Sequence, residues 1–187
     1  MIDQFIDRTR GRTSSFFGEG VVAHISFGDP VCAVLRRYIM ESSSECGATT
    51  HDGGTYVCME GPAFSTRAES HLYRSWGGDV VGMTNLPEAK LAREAEISYA
   101  TLAMATDYDC WHSGHDDVTV EQVVSVLLKN ADLAREIIGR VVGKIVHHGA
   151  AAPHANALKD ALMTDPKHIS DARKVQLAPI LAKYLGG

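Results

Sequence analysis

The sequence predicts an α/β fold in which helices cross over between strands, and three observations predict it. Apolar runs of strand length alternate with longer stretches whose apolar residues recur at three- and four-residue spacing. Gly and Pro stand at the joins between them. The chain's 187 residues, 45% hydrophobic and 22% charged, suffice for one well-buried domain and leave little room for two large ones.

The first predicted strand is Val21 to Phe27 (VVAHISF), followed by a helix over Val31 to Glu45. Thr55 to Glu60 (TYVCME) reads as the second strand and Ser65 to Trp76 as an amphipathic helix. Gly77-Gly78 suits a helix stop and turn before a third strand, Asp79 to Thr84 (DVVGMT). Pro87 suits the first turn of a helix running to Glu96. The apolar run Ser98 to Thr106 (SYATLAMAT) is the fourth predicted strand. A polar loop, HSGHDD, leads into a long helix, for which Thr119 and Gln122 form a capping box. Val120, Val123, Leu127, Ala131, Ala134, Ile138, Val141 and Ile145 keep one stripe of it apolar. HHGAAAPHAN (His147 to Asn156) breaks that pattern, and two shorter helical segments end at Leu185. There is no internal repeat and no low-complexity linker.

Bulk properties exclude several classes. A formal charge of −5 argues against a nucleic-acid surface. No apolar stretch approaches the length of a membrane span. The start, MIDQFIDRTRGR, lacks the apolar core of a secretory signal, so a cytoplasmic protein is expected. The four cysteines contain no C-x-x-C pair, which favours buried reduced thiols over disulfides or metal. His112-x-x-His115 has no further Cys or His to complete a zinc set, so no metal is expected. G-x-S-x-G, P-loop and complete G-x-G-x-x-G patterns are absent.

Open α/β sheets bind ligands beyond the carboxyl ends of their strands, so EGPAFS, MTNLPE and ATDYD are the segments to read. Asp107 and Asp109, one residue apart, either accept bonds from neighbouring N–H groups or face a crevice. In a crevice a carboxylate accepts from an exocyclic amine, and a buried acid can protonate a ring nitrogen. Phe64, after the Gly-Pro turn, is either ordinary turn chemistry or the wall of a planar ligand's pocket. Thr84 is equally an N-terminal cap or a ligand contact. His24 alternates within its run and is open between core and site.

Taken together and in order, DQFIDRT, EGPAFSTRAES, DVVGMTNLPEAKLAREA and YATLAMATDYDCW closely resemble the methylthioadenosine phosphorylase branch of the purine nucleoside phosphorylase family. The resemblance runs from about Asp3 to about Asp132. It implies the family's three-layer α/β fold over residues 1–149, lacking its N-terminal strands, with residues 150–187 as a helical extension. It also implies phosphorolysis of 5'-methylthioadenosine to adenine and 5-methylthioribose 1-phosphate, with inorganic phosphate as co-substrate and no cofactor. In the family's terms Phe64 stacks on the purine, and Met83 and Thr84 contact ribose and phosphate. Asp107 faces the 6-amino group and N7, with Asp109 beside it. Val120, Val123 and Val124 resemble the apolar 5' pocket, and His24 matches a histidine that reaches a neighbour's site in trimeric members. A homotrimer is therefore implied. Members acting on 6-oxopurines carry Asn where Asp107 stands, so the carboxylate favours adenine.

The chain departs from the family in one respect. Members carry, ahead of DQFIDRT, a portion that supplies the first strands and most of a phosphate cradle with an Arg-His pair, and no Arg-His dipeptide occurs here. Thr84 alone cannot supply the donors and positive charge that phosphate needs. The alternatives to be weighed are a catalytically silent nucleoside-binding or oligomer-forming chain, and a 6-oxopurine nucleoside phosphorylase.

Overall fold

The structure, a computed structural model, describes residues 1–112, 120–149 and 152–185. Its sheet is parallel and three-stranded, β1 (Gln4–Arg8), β2 (Thr55–Met59) and β3 (Val80–Gly82) lying side by side in that order. β2 is central, pairing Gln4 to Thr55 through Arg8 to Met59 on one edge and Tyr56 to Val80 through Cys58 to Gly82 on the other. Its Tyr56, Val57 and Cys58 are all buried, the continuous apolar pattern of a parallel strand covered on both faces.

The connections are helical, as expected. α1 (Ala33–Glu45) links β1 to β2, and α2 (Arg67–Ser75) links β2 to β3. α3 (Glu88–Glu94) follows β3, and α4 (Val120–His148) is the long helix. α2 starts on a capping box: the Thr66 hydroxyl accepts from the Glu69 N–H at 3.2 Å, while the Glu69 carboxylate accepts from the Thr66 N–H at 2.8 Å. It stops at Gly77-Gly78 for two different reasons. Gly77 takes φ +80°, and a Cβ on Gly78 would sit 2.7 Å from Val57 Cγ2, so the pair permits both the left-handed turn and the close return to β3. The capping box expected at Thr119 lies outside the described residues, as do the loop residues from Ser113 onward. No helix among the described residues is long and apolar enough to cross a membrane.

Two of the four predicted strands do not form. Val21 to Phe27 is an extended segment that pairs with the C-terminal part of the chain: Ala23 bridges Leu162 antiparallel, and the His24 N–H donates to Ala161 O at 2.8 Å. Ser98 to Thr106 joins no ladder; Tyr99 O accepts from Cys32 N–H at 2.7 Å and Thr101 O from Ile2 N–H at 3.3 Å. Alternating or continuous apolar character marks any half-buried extended chain, and a strand additionally needs a neighbour in register. β1 fell outside the predicted strands because its ends are polar and only one of its edges is paired.

Two cores result. One gathers Ile2, Tyr56, Cys58, Leu86 and Ala89, with Phe5, Phe27, Val80, Tyr99 and Ala103 packed against it. The other joins Val21 to Leu158, Ala161, Ile169, Leu177 and Leu181 from the C-terminal segment and α5 (Asp171–Leu185). Glu96 seals this second core from beside it, accepting from the Leu158 N–H at 2.9 Å and from the Tyr184 hydroxyl and Lys183 ammonium. All four cysteines are free; Cys32 and Cys58 are buried as expected, whereas Cys110 is exposed and Cys46 half-buried.

Arg93 fastens the C-terminal segment a second time. Its buried guanidinium donates to Ser26 O at 2.7 Å and Asp29 O at 2.6 Å, and lies 3.3 Å from His154 Nε2. Arginine cannot accept, so this contact needs a neutral imidazole with its Nε2 lone pair toward Arg93. Burial first, and the Arg93 charge second, hold the His154 imidazole below its ordinary range. A group whose folded value is depressed binds more protons unfolded, so its contribution is present above the ordinary imidazole range and is lost as pH falls through it. Denaturant midpoints are therefore expected to drop between about pH 7 and pH 5 more steeply in the wild type than in His154→Gln. Parallel curves would refute the coupling.

Candidate active site

The segments after β2 and β3 lie beyond the carboxyl ends of those strands, and the segment after Thr106 is fastened to the first of them. The loop after β2 carries Phe64, which is 86% exposed. The turn before it requires Gly61: φ is +74°, and a Cβ there would stand 2.6 Å from Met83 Sδ, so the Gly-Pro turn and Met83 are in contact. Met83 and Thr84 follow β3 directly, and their backbone is held by its neighbours. Thr84 N–H donates to the Tyr56 hydroxyl at 3.3 Å, and the Cys58 thiol donates to Thr84 O at 2.9 Å. Burial pushes the Cys58 thiol up, so it stays protonated and able to donate.

Asn85 comes next in a left-handed conformation, φ +74°, with its side chain buried. Its Oδ1 accepts from the Tyr99 and Thr101 hydroxyls, each at 2.9 Å. Burial pushes the Tyr99 phenol up to about 12, which keeps that donor protonated across the physiological range. The run Ser98 to Thr106 is thus tied to the end of β3 through Asn85 and not through a strand ladder.

At the far end of that run lies the D-x-D pair. Asp107 is exposed, and the Thr106 hydroxyl donates to its Oδ2 at 2.7 Å. Asp109 is half-buried, and its Oδ1 accepts from the Cys110 N–H at 2.8 Å. The capping role left open for these acids therefore belongs to Asp109, which closes its own turn, while Asp107 keeps Oδ1 for other partners. Arg67 donates to Cys110 O at 2.6 Å and the Cys110 thiol lies 3.5 Å from Ser65 O, which fastens this segment to the Phe64 loop. Arg74 stacks 3.4 Å over the Trp111 ring, and Asn130 on α4 donates to Ala105 O at 3.2 Å.

Of the residues singled out in the sequence, Phe64, Met83 and Thr84 follow two strand ends that meet at Gly61 and Met83, and Asp107 and Asp109 lie on the segment fastened to the Phe64 loop. Val124, on the first turns of α4, is exposed; Val120 and Val123 begin the same helix, and their side chains lie outside the described ones. His24 is placed with the C-terminal segment, through its bond to Ala161. No group of three His, Cys, Asp or Glu among the described residues is arranged to hold a metal ion. Sequence reasoning missed the residues that join the segments: Arg12, Tyr56, Asn85 and Arg67. Only the Thr66-x-x-Glu69 spacing beside them carried a local signal, that of a helix start.

The arrangement has the parts of a site for a planar, amine-bearing ring: an open aromatic face, a hydroxyl at a strand end, and a carboxylate with one oxygen unengaged by its own loop. The family described as Phosphorylase superfamily matches residues 1–143. The S-methyl-5'-thioadenosine phosphorylase of Thermosynechococcus vestitus is 56% identical over 186 residues, covering 98% of this chain and 64% of the relative. That of Gloeobacter violaceus is 57% identical over 188 residues, covering 97% of this chain and 62% of the relative. The crystal structure of a methylthioadenosine phosphorylase from an antarctic soil metagenomic library superposes with a TM-score of 0.88 at 45% identity, over 96% of this chain and 64% of that one. The chain thus spans somewhat less than two thirds of the length of these relatives.

Proposed function

The chain belongs to the phosphorylase superfamily, and from that membership we propose that it acts in phosphorolysis of 5'-methylthioadenosine, giving adenine and 5-methylthioribose 1-phosphate. The observation that carries the proposal is the fastening together of the segments that carry Phe64, Met83-Thr84 and Asp107, in a chain whose relatives are named for this reaction. Phe64 stacks on the purine, and the exposed ring is free to do so. Met83 and Thr84 contact the ribose and phosphate. Asp107 reads the 6-amino group and N7. Val120, Val123 and Val124 line the 5' side, and His24 serves a neighbouring copy in a homotrimer. Inorganic phosphate is the co-substrate, no cofactor takes part, and the cytoplasm is the compartment.

In the reaction the bond between the purine N9 and the ribose anomeric carbon lengthens, leaving positive charge on the sugar and negative charge on the base. The related chemistry of glycoside cleavage is acid-assisted in the same way. Asp107 shares a proton with N7 as negative charge gathers on the base, and a phosphate oxygen forms the new bond to the anomeric carbon. Interaction that strengthens only as charge develops raises turnover and not merely affinity.

The exposure of both Phe64 and Asp107 favours a second reading, a chain that binds the nucleoside without turning it over. A site open to water weakens the interactions that must strengthen as charge develops, while an exposed ring can still stack. The deciding experiment incubates the purified chain with 5'-methylthioadenosine with and without inorganic phosphate and follows adenine. Phosphate-dependent release supports phosphorolysis. Binding without release supports the silent reading, and preferential release of hypoxanthine from inosine would replace the substrate assignment.

A further inference from the structure

β2 and β3 stop pairing at Cys58 and Gly82, yet both chains run on to the residues that form the site. Beyond that last rung their carbonyls need donors, because an unpaired buried backbone group is costly. One side chain supplies four of them. Arg12, in the segment after β1, directs its guanidinium between the two strand ends. Nη2 donates to Met59 O at 3.4 Å and Glu60 O at 2.8 Å; Nη1 donates to Met83 O at 2.9 Å and Leu86 O at 2.7 Å. Nε donates to the Glu60 carboxylate at 3.1 Å. A guanidinium has five N–H donors in a fixed planar fork, and all five are engaged here.

Two details tie this fork to the site. Met83 C=O and Thr84 N–H belong to one peptide unit; its oxygen is held by Arg12 and its N–H donates to the Tyr56 hydroxyl. The unit is therefore fixed at both ends, which sets the direction in which Thr84 projects. On the other strand, Glu60 O immediately precedes Gly61, whose contact with Met83 shapes the turn leading to Phe64. Glu60 is itself steadied: the Arg10 N–H donates to its Oε2 at 2.7 Å, and that bond first, with Arg12 after it, holds its carboxyl below the usual range.

We infer that Arg12 is a positioning residue for the nucleoside site, setting the separation of the Phe64 loop and the Met83-Thr84 peptide by standing in for the rungs missing between β2 and β3. The inference rests on the phosphorylase reading above. Arg12 acts through the two strand ends.

The test compares wild type, Arg12→Ala, Arg12→Lys and, as a control for stability alone, Arg93→Ala, which removes another arginine that donates to backbone carbonyls, Ser26 O and Asp29 O, away from the strand ends. Each is assayed well below its own melting temperature, for adenine binding and for phosphate-dependent adenine release. Arg12→Ala is expected to lose about 100-fold in kcat/KM for the nucleoside, the scale of an ångström-sized misplacement. Millimolar guanidinium ion should restore part of kcat. Arg12→Lys, a single point donor, should recover melting temperature more than activity. Arg93→Ala should lose melting temperature while keeping activity in the cold. Wild type that neither binds adenine nor releases it overturns the functional reading and the inference together. An active or adenine-binding wild type alongside an Arg12→Ala variant within twofold of it overturns the inference alone, as does an Arg93→Ala variant that loses the same activity as Arg12→Ala.

Discussion

Asp107→Asn is expected to lower turnover of 5'-methylthioadenosine by about 10²- to 10⁴-fold, the range of a lost general acid. The substitution is nearly isosteric, and the Thr106 hydroxyl that donates to Oδ2 at 2.7 Å can still donate to the amide oxygen. The loop is held independently by Arg67 on Cys110 O and Asn130 on Ala105 O, so its course should survive. What changes is chemistry: an amide cannot deliver a proton to N7, and its NH₂ group can meet a 6-oxo group that the carboxylate repels. Selectivity should therefore move toward inosine at the same time as adenine release falls. Steady-state kinetics on both nucleosides give the two numbers. Full retained activity on the adenine nucleoside would sink the assignment of Asp107.

The second large effect concerns stability. Leu158→Ala is expected to cost about 2–5 kcal/mol, the range for a leucine removed from a packed core. Leu158 is fully buried and lies among Val21, Ala161, Ile169, Leu177 and Leu181. An appendage resting on a finished domain would tolerate the change within about 0.5 kcal/mol. The larger figure follows because this core is shared: Val21 and its neighbours Phe17, Ala23 and Ile25 have no other buried cluster to join. Urea unfolding of wild type and variant measures the difference, and a shift under about 0.5 kcal/mol would show the C-terminal segment to be dispensable.

Much of the architecture was legible in the sequence. The helices Ala33–Glu45, Arg67–Ser75, Glu88–Glu94 and Val120–His148 lie where the three- and four-residue spacing puts them, because that spacing is a local property of the chain. Thr55–Met59 and Val80–Gly82 were equally plain, being short apolar runs closed by turn residues. The α/β class followed from the alternation, and the grouping of EGPAFS, MTNLPE and ATDYD followed from where such sheets hold their ligands.

What the sequence could not reveal depends on contacts made across long separations. VVAHISF and SYATLAMAT have strand-like character, but only the folded chain decides that the first pairs with Ala161 to Thr164, with Val22 bonding Thr164 across 142 positions. It likewise decides that the second is fastened through Asn85. Arg12 is one of 18 basic residues and looks like a surface charge until its guanidinium is found at Met83 O, 71 positions away. The sequence by itself determined the secondary-structure periods, the α/β class and the segments proposed to hold the site, since each is written within a few neighbouring positions. Tertiary structure alone decided which extended runs became strands and which side chains hold the site's segments together, because hydrogen-bond partners are chosen by proximity in space and local pattern carries no record of it.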